Sequence, residues 1–317
     1  MSEQQKWMVI GGAGAIGNNL IRKLLELSSI SQIIVLDNLS SGSIQWFPED
    51  PRLQFRYCDI SDYSKLKFEI QEQQPNYIVN LAAHFANQNS VDFPLSDVQT
   101  NIVGVINVFE ASKGLPNLIK IVSASSSCVY GSSEYMSEDD FVYPHETPYA
   151  INKLGGELYT KYYSEQFNIA AISVRIFNTY GPYELPGKYR NVIPIFFKKA
   201  MKNETLQITG DGGETRDFTF SDDTCDGIIK AAYSKYSDGE VFNLGAGTKV
   251  NIKDLANEIL DITQSNSEII YTKMRSWDHV KHRQSNIKKS NELLGYDPKT
   301  ELTIGLNITY NWLLKVI

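Results

Sequence analysis

Residues 7–17 read WMVIGGAGAIG: four apolar residues, Trp7 to Ile10, run directly into Gly11-Gly12-Ala13-Gly14-Ala15-Ile16-Gly17. The apolar run predicts a buried strand, and the glycines satisfy both G-x-G-x-x-G and G-x-x-G-x-x-G spacing. Such a turn meets three physical demands. One glycine permits the tight bend, one lets a pyrophosphate approach the backbone, and one lets the next helix pack closely on the strand. The helix N-terminus then offers N–H donors and positive potential to an anion. Asp37 strengthens this reading, because it closes the next apolar run, IIVL, twenty residues after Gly17. A carboxylate there accepts hydrogen bonds from an adenosine ribose and repels a phosphate on the same ribose, so NAD is expected rather than NADP.

Working outward, apolar runs recur at 33–36, LQF (53–55), YIVNL (77–81), IKIVSAS (119–125) and AAISVRIF (170–177). Stretches starting near Gly14, Tyr63, Ser96 and Tyr149 carry apolar residues at three-to-four spacing. Strands alternating with helices predict an α/β fold, a Rossmann-type doubly wound parallel sheet with right-handed crossovers covering both faces. Past residue 178 the alternation loosens, which predicts a smaller C-terminal substrate-binding domain. The expected division is a cofactor domain over 1–177 and a mainly substrate-binding domain over 178–317, with the stretch around 215–245 able to pack back on the first.

The chain has 317 residues and a net charge of −7 without a long Lys/Arg cluster, which argues against nucleic acid or an anionic membrane as its main partner. No apolar run is long enough to span a bilayer, and the first residues, MSEQQKWMVI, lack a leader pattern, so a cytoplasmic protein is expected. Cys58, Cys128 and Cys225 are far apart and read as reduced thiols. His279 and His282 are the one close histidine pair, and no metal site is expected there.

Tyr149-Ala150-Ile151-Asn152-Lys153 places two side chains at i and i+4, on one face of a helix. A tyrosine hydroxyl titrates near 10, so it takes an alcohol proton at neutral pH only if a neighbouring ammonium and an oxidised nicotinamide favour the phenolate. The same spacing occurs at Tyr63 and Lys67, so spacing alone decides nothing. Position does: Tyr149 opens the helix after a strand that ends in Ser125-Ser126-Ser127, and parallel sheets bind ligands at the carboxyl ends of their strands. A serine there can share a substrate hydroxyl with Tyr149.

Taken together, GGAGAIG, DNLSSG, Cys58-Asp59-Ile60, NLAA (80–83), SSSCVYG, PYAINKLGGE, RIFNTYGP, GDGGETRDFTFSDD, FNLGAG and RSWD resemble the nucleotide-sugar epimerase and dehydratase members of the extended short-chain dehydrogenase/reductase family, above all its UDP-glucose 4-epimerase-like enzymes. The resemblance runs nearly the whole length. It implies that Asn38 and Gly42 belong to the cofactor site with Asp37, that Asp59 and Ile60 lie against the adenine, Leu81, Ala82 and Ala83 against the middle of the cofactor, and Phe177 near the nicotinamide. It implies Ser126 as the catalytic serine beside Tyr149 and Lys153. Ser125, Ser126, Asn178, Val192, Arg216, Arg275 and Asp278 would hold the sugar nucleotide, and guanidinium groups suit a diphosphate because they make paired hydrogen bonds. It also implies a homodimer built from a four-helix bundle, using segments near 96–112 and 149–166.

Dehydratases of this family resemble S-T-D-E-V-Y-G, with Asp and Glu moving protons on the sugar. This chain has Ser127 and Cys128 at those two positions. Neither is a carboxylic acid, so a 4-epimerase reading is preferred to 4,6-dehydration. Two rivals stay open: a 4-dehydrogenase that releases a keto sugar nucleotide, and a non-catalytic NAD-sensing protein.

Overall fold

The computed structural model describes residues 4–189, 191–274 and 280–317. Seven strands form one sheet: β1 (Gln5–Ile10), β2 (Ile30–Asp37), β3 (Leu53–Tyr57), β4 (Tyr77–Asn80), β5 (Lys120–Ser126), β6 (Ala171–Ile176) and β7 (Asp238–Leu244). Their spatial order is β7-β6-β5-β4-β1-β2-β3, and every neighbouring pair is parallel. The chain runs outward from β1 to β3 and then returns to β4 on the other side of β1. That reversal opens a crevice at the carboxyl ends of β1 and β4.

Both faces of this sheet are buried, so its strands are apolar on both sides rather than alternating with polar residues. Trp7 and Val9 pack with Ile33, Val35, Val79 and Val122 against Leu20, Ile21 and Leu24 of α1 (Ala15–Glu26). Met8 and Ile10, on the opposite face, pack with Ile34, Leu36, Ile78 and Ile121 against Leu66 and Ile70 of α2 (Tyr63–Gln73). Full burial of each such side chain stabilises the fold by about 1.5–3 kcal/mol.

Between β4 and β5 lie two short helices, α3 (Asn87–Asp92) and α4 (Pro94–Val98). A wider π-type segment, Gln99–Val103, follows and leads into α5 (Gly104–Ser112). The long α6 (Pro148–Phe167) crosses from β5 to β6, with Thr147 as its N-cap and Pro148 at its first position, where a missing N–H costs nothing.

The second lobe has its own core, in which Phe196 and Phe197 of α7 (Val192–Met201) meet Leu255 and Ile259 of α9 (Ile252–Thr263) and Leu306 and Leu313 of α11 (Leu302–Leu313). This lobe is not one continuous stretch from 178 onward. The helix α8 (Ser221–Tyr233) and β7 return to the first lobe, where Cys225, Ile228, Phe242 and Leu244 join the core of the main sheet. Tyr296, which follows α10 (Lys288–Leu294), returns as well. An aromatic seam joins the lobes: Trp312 of α11 stands 5.4 Å from both Trp46 and Tyr183, and the Arg22 guanidinium lies over the Tyr183 ring at 4.8 Å. Among the described residues no helix is long and apolar enough to cross a membrane.

Candidate active site

The crevice opens into a cleft of about 690 Å³ between the lobes. Its floor is the glycine turn. Gly11 has φ +75°, and a Cβ there would lie 2.5 Å from the Ala82 nitrogen; a Cβ on Gly17 would lie 2.4 Å from the Gly12 carbonyl oxygen. These two glycines are demanded by the fold itself. Gly14 differs, since a Cβ there would meet one protein atom, the Gly11 oxygen at 3.3 Å, and otherwise open space. Gly14 is also the N-cap of α1 and supplies no side-chain cap, so the helix start formed by Ala15, Ile16 and Gly17 lines the cleft with nothing laid across it by its cap residue. The cradle fits a pyrophosphate.

Asp37 stands at the end of β2 and lines the cleft. Its Oδ2 accepts from the Ala13 N–H at 2.9 Å and its Oδ1 from the Leu39 N–H at 2.7 Å. Burial raises its pKa, and these two bonds oppose the rise. Each oxygen retains a lone pair for ribose hydroxyls. Asn38 lines the cleft beside it and donates to Asp59 Oδ2 at 2.7 Å. Burial raises the Asp59 pKa, but hydrogen bonds from Ser61 and Asn38 outweigh it and leave this carboxylate below its usual range. Asp59 thus anchors Asn38. Ile60, Leu81, Ala82 and Ala83 line the cleft, whereas Gly42 packs under the turn, where a Cβ would lie 2.6 Å from the Ala13 backbone.

Ser126 ends β5 and Tyr149 opens α6, and both line the cleft. Ser126 Oγ also accepts from the Cys128 N–H at 3.2 Å. One helical turn beyond Tyr149, Lys153 Nζ donates to the Ala124 carbonyl at 3.0 Å and lies 5.7 Å from the centre of the Tyr149 ring. Both side chains are buried against the cleft wall. Burial pushes the Tyr149 hydroxyl above its ordinary range, while the nearby Ser126 hydroxyl pulls the other way. Burial also lowers Lys153 to about 8, with Asp97, Cys128 and Glu157 opposing. The duplicate pair has a different setting: Tyr63 is an exposed residue at the start of α2, and the Lys67 ammonium lies 5.6 Å over its ring, outside the cleft.

Ser125 has a further partner. It borders the cleft, but its hydroxyl donates to Glu157 Oε1 at 2.5 Å, and Glu157 is in turn paired with Arg175 at 2.8 Å. Ser125 thereby ties the end of β5 to α6.

Phe177, Asn178, Val192 and Arg216 all line the cleft. Asn178 Nδ2 donates to the Asp217 carbonyl at 3.4 Å, and Arg216 Nη1 donates to the Thr215 carbonyl at 2.9 Å. Arg275, Asp278 and His279 lie outside the described residues. His282 Nδ1 is 3.2 Å from Thr215 Oγ1, and among the described residues no cluster of His, Cys, Asp and Glu could hold a metal.

His84, which lines the cleft, and Asn101 and Asp97, which are buried, went unread in the sequence. Asn101 holds the backbone of His84 from both sides, with both bonds at 3.3 Å. Asp97 lies behind them with no exposed surface. A histidine directly after NLAA, and polar residues within the apolar stretch that follows, were the available signals.

The profile of the NAD dependent epimerase/dehydratase family matches residues 7–245. A UDP-glucose 4-epimerase of Mycolicibacterium smegmatis is 31% identical over 304 residues, covering 94% of this chain and 95% of its own. The structure of an epimerase of Methanothermobacter thermautotrophicus is similar at a TM-score of 0.94 and 39% identity, with 99% of this chain and 93% of the other covered. The Bordetella bronchiseptica enzyme WbmF, in complex with NAD+ and UDP, is similar at a TM-score of 0.86 and 31% identity over 99% of this chain and 93% of its own. With the glycine cradle, Asp37 and the Ser126, Tyr149 and Lys153 set all lining one cleft, the chain belongs to the NAD-dependent epimerase/dehydratase family, the nucleotide-sugar enzymes of extended short-chain dehydrogenase/reductase type.

Proposed function

We propose that the protein is a nucleotide-sugar 4-epimerase. The observation that carries this reading is that Ser126, Tyr149 and Lys153 line the cleft together, Lys153 one turn behind Tyr149, with Ser127 and Cys128 beside them where dehydratases of the family carry two acids. Ser127 is buried, with its carbonyl accepting from Arg283 at 3.1 Å, and Cys128 Sγ accepts from Asn87 at 3.5 Å. Neither supplies the carboxyl group that loss of water across carbons 5 and 6 requires.

In this reading Tyr149 removes the proton from the sugar hydroxyl on carbon 4, while Ser126 polarises and orients that oxygen. NAD, when bound, supplies the acceptor and later the donor of the hydride. Lys153 keeps a positive charge behind the phenol and holds the nicotinamide ribose; its charge offsets the burial that otherwise disfavours the phenolate. Tyr149 then returns its proton to the oxygen once the ketone has turned its other face to the ring. Asn178, Val192 and Arg216, with Arg275 and Asp278, are assigned to the nucleotide. Arg216 suits a diphosphate because a guanidinium bonds two oxygens at once.

A homodimer is part of the same proposal. Val98 on α4, and Ile151, Leu158 and Tyr162 on α6, are large exposed apolar side chains. A bundle of paired helices would cover them, and Leu158→Glu should then yield monomers by light scattering.

The test is to incubate the protein with UDP-, dTDP-, GDP- and CDP-sugars, follow NADH absorbance and identify products by NMR. A stereoisomer without net NADH supports the proposal. A ketone with NADH would make the protein a 4-dehydrogenase, and a deoxy keto sugar carrying solvent deuterium at carbon 5 would sink the reasoning from Ser127 and Cys128. No turnover on any sugar would favour an NAD sensor. Tyr149→Phe should abolish hydride transfer while leaving NAD binding largely intact.

A further inference from the structure

Asp97 sits with no exposed surface on α4, which packs against α6, the helix that carries Tyr149 and Lys153. Its Oδ1 accepts from Asn152 Nδ2 at 2.6 Å, and Asn152 is the residue immediately before Lys153 on α6. Its Oδ2 faces His84 Nδ1 at 3.6 Å, beyond hydrogen-bond length, and neither of those two atoms has a hydrogen-bond partner among the described residues. A carboxylate removed from water and bonded at one oxygen projects its field strongly onto its neighbours. His84, from the segment after β4, faces Asp97, and the charged or titratable groups acting on Lys153 are Asp97 from α4, Glu157 from α6 and Cys128 from the turn after β5. Glu157 is already matched by the Arg175 guanidinium at 2.8 Å. The buried Lys153 ammonium has a carbonyl, that of Ala124, as its hydrogen-bond partner rather than a carboxylate.

We propose that Asp97 is a positioning residue, the fixed counter-charge that keeps the Lys153 ammonium protonated beside Tyr149, with Asn152 holding it in place. It acts through Lys153 and touches neither cofactor nor substrate. The sign is unambiguous. Burial lowers Lys153 to about 8, and the negative charge of Asp97 works against that fall, so without Asp97 the ammonium would lose its proton at a lower pH still. A neutral Lys153 could no longer offset the burial of the Tyr149 phenol. The idea deepens the reading of Tyr149 as the base, and it is testable without any substrate.

The experiment is competitive acetylation of the full-length protein across a pH series, with the labelling of Lys153 read by peptide mass spectrometry, because only the neutral amine reacts. The wild-type midpoint is expected at about 8. In Asp97→Asn it should fall by about one pH unit. Asp97→Glu should restore it. Should Asp97→Asn fail to fold by circular dichroism, Asp97→Ser makes the same change of charge with a smaller side chain. An unmoved midpoint in a folded neutral variant overturns the proposal, even if the variant melts earlier, because a merely structural role lowers stability without shifting the midpoint. Lack of turnover on every sugar nucleotide would fail the epimerase reading and leave this result standing.

Discussion

The Ala13 backbone N–H donates to Asp37 Oδ2 at 2.9 Å, fastening the glycine turn after β1 to the end of β2. The carboxylate proposed to read the ribose also holds the loop that cradles the pyrophosphate. Asp37→Ala should therefore do two things. It leaves the Ala13 and Leu39 N–H groups without their acceptor, costing about 1–3 kcal/mol in denaturant melts. It also weakens NAD binding at least tenfold, about 1.4 kcal/mol or more, by calorimetric titration. Unchanged NAD affinity would remove Asp37 from the cofactor site.

Gly14 and Gly17 should separate binding from folding. A methyl group added at Gly17 would meet the rigid Gly12 carbonyl at 2.4 Å, so Gly17→Ala should destabilise the fold by about 1–3 kcal/mol. Gly14→Ala meets its one neighbour at 3.3 Å and should melt close to wild type, yet bind NAD poorly because its methyl projects toward the cradle. Equal NAD affinity in Gly14→Ala and wild type would argue that no pyrophosphate approaches there.

The Glu157–Arg175 pair is buried and doubly bonded, at 2.9 and 2.8 Å. Arg175→Met should cost about 3–5 kcal/mol in urea unfolding, because it strands a buried carboxylate. Adding Glu157→Gln should recover part of the loss. Equal destabilisation of the single and double variants would show that packing, not charge, dominates.

Lys120 is buried at the start of β5, its ammonium donating to the Ser234 carbonyl, and burial lowers its pKa from 10.5 to about 8. A folded-state pKa below the unfolded one means that the folded chain releases the proton first. Below pH 8 both states carry the charge and the folded state bears the cost of burying it; as pH rises from about 8 to 10.5, that cost disappears and stability grows. The difference between wild type and Lys120→Met should therefore change by about 1–3 kcal/mol over this window. A constant difference would show that Lys120 reaches water in the folded state.

Local pattern in the sequence was enough for the elements that place the cofactor. Short apolar runs and three-to-four spacing depend on the geometry of single strands and helices, so β1 to β6, the starts of α2 and α6, the glycine turn and Asp37 were all legible. The seventh strand was not. Its sequence DGEVFNL is short and mixed, and it becomes a strand because Phe242 and Leu244 find the sheet core beside β6. Its pairing partner lies more than sixty residues earlier, out of reach of any local pattern.

The glycine turn at 11–17 and the i, i+4 order of Tyr149 and Lys153 were determined by the sequence alone, because turn chemistry and helical spacing are short-range. Tertiary structure decided which of two such Tyr/Lys pairs faces the cleft, that Ser125 bonds Glu157 of α6, and that a buried Asp97 bonds Asn152 beside Lys153. Those outcomes depend on which faces meet across the sheet, and long-range packing alone sets which faces those are.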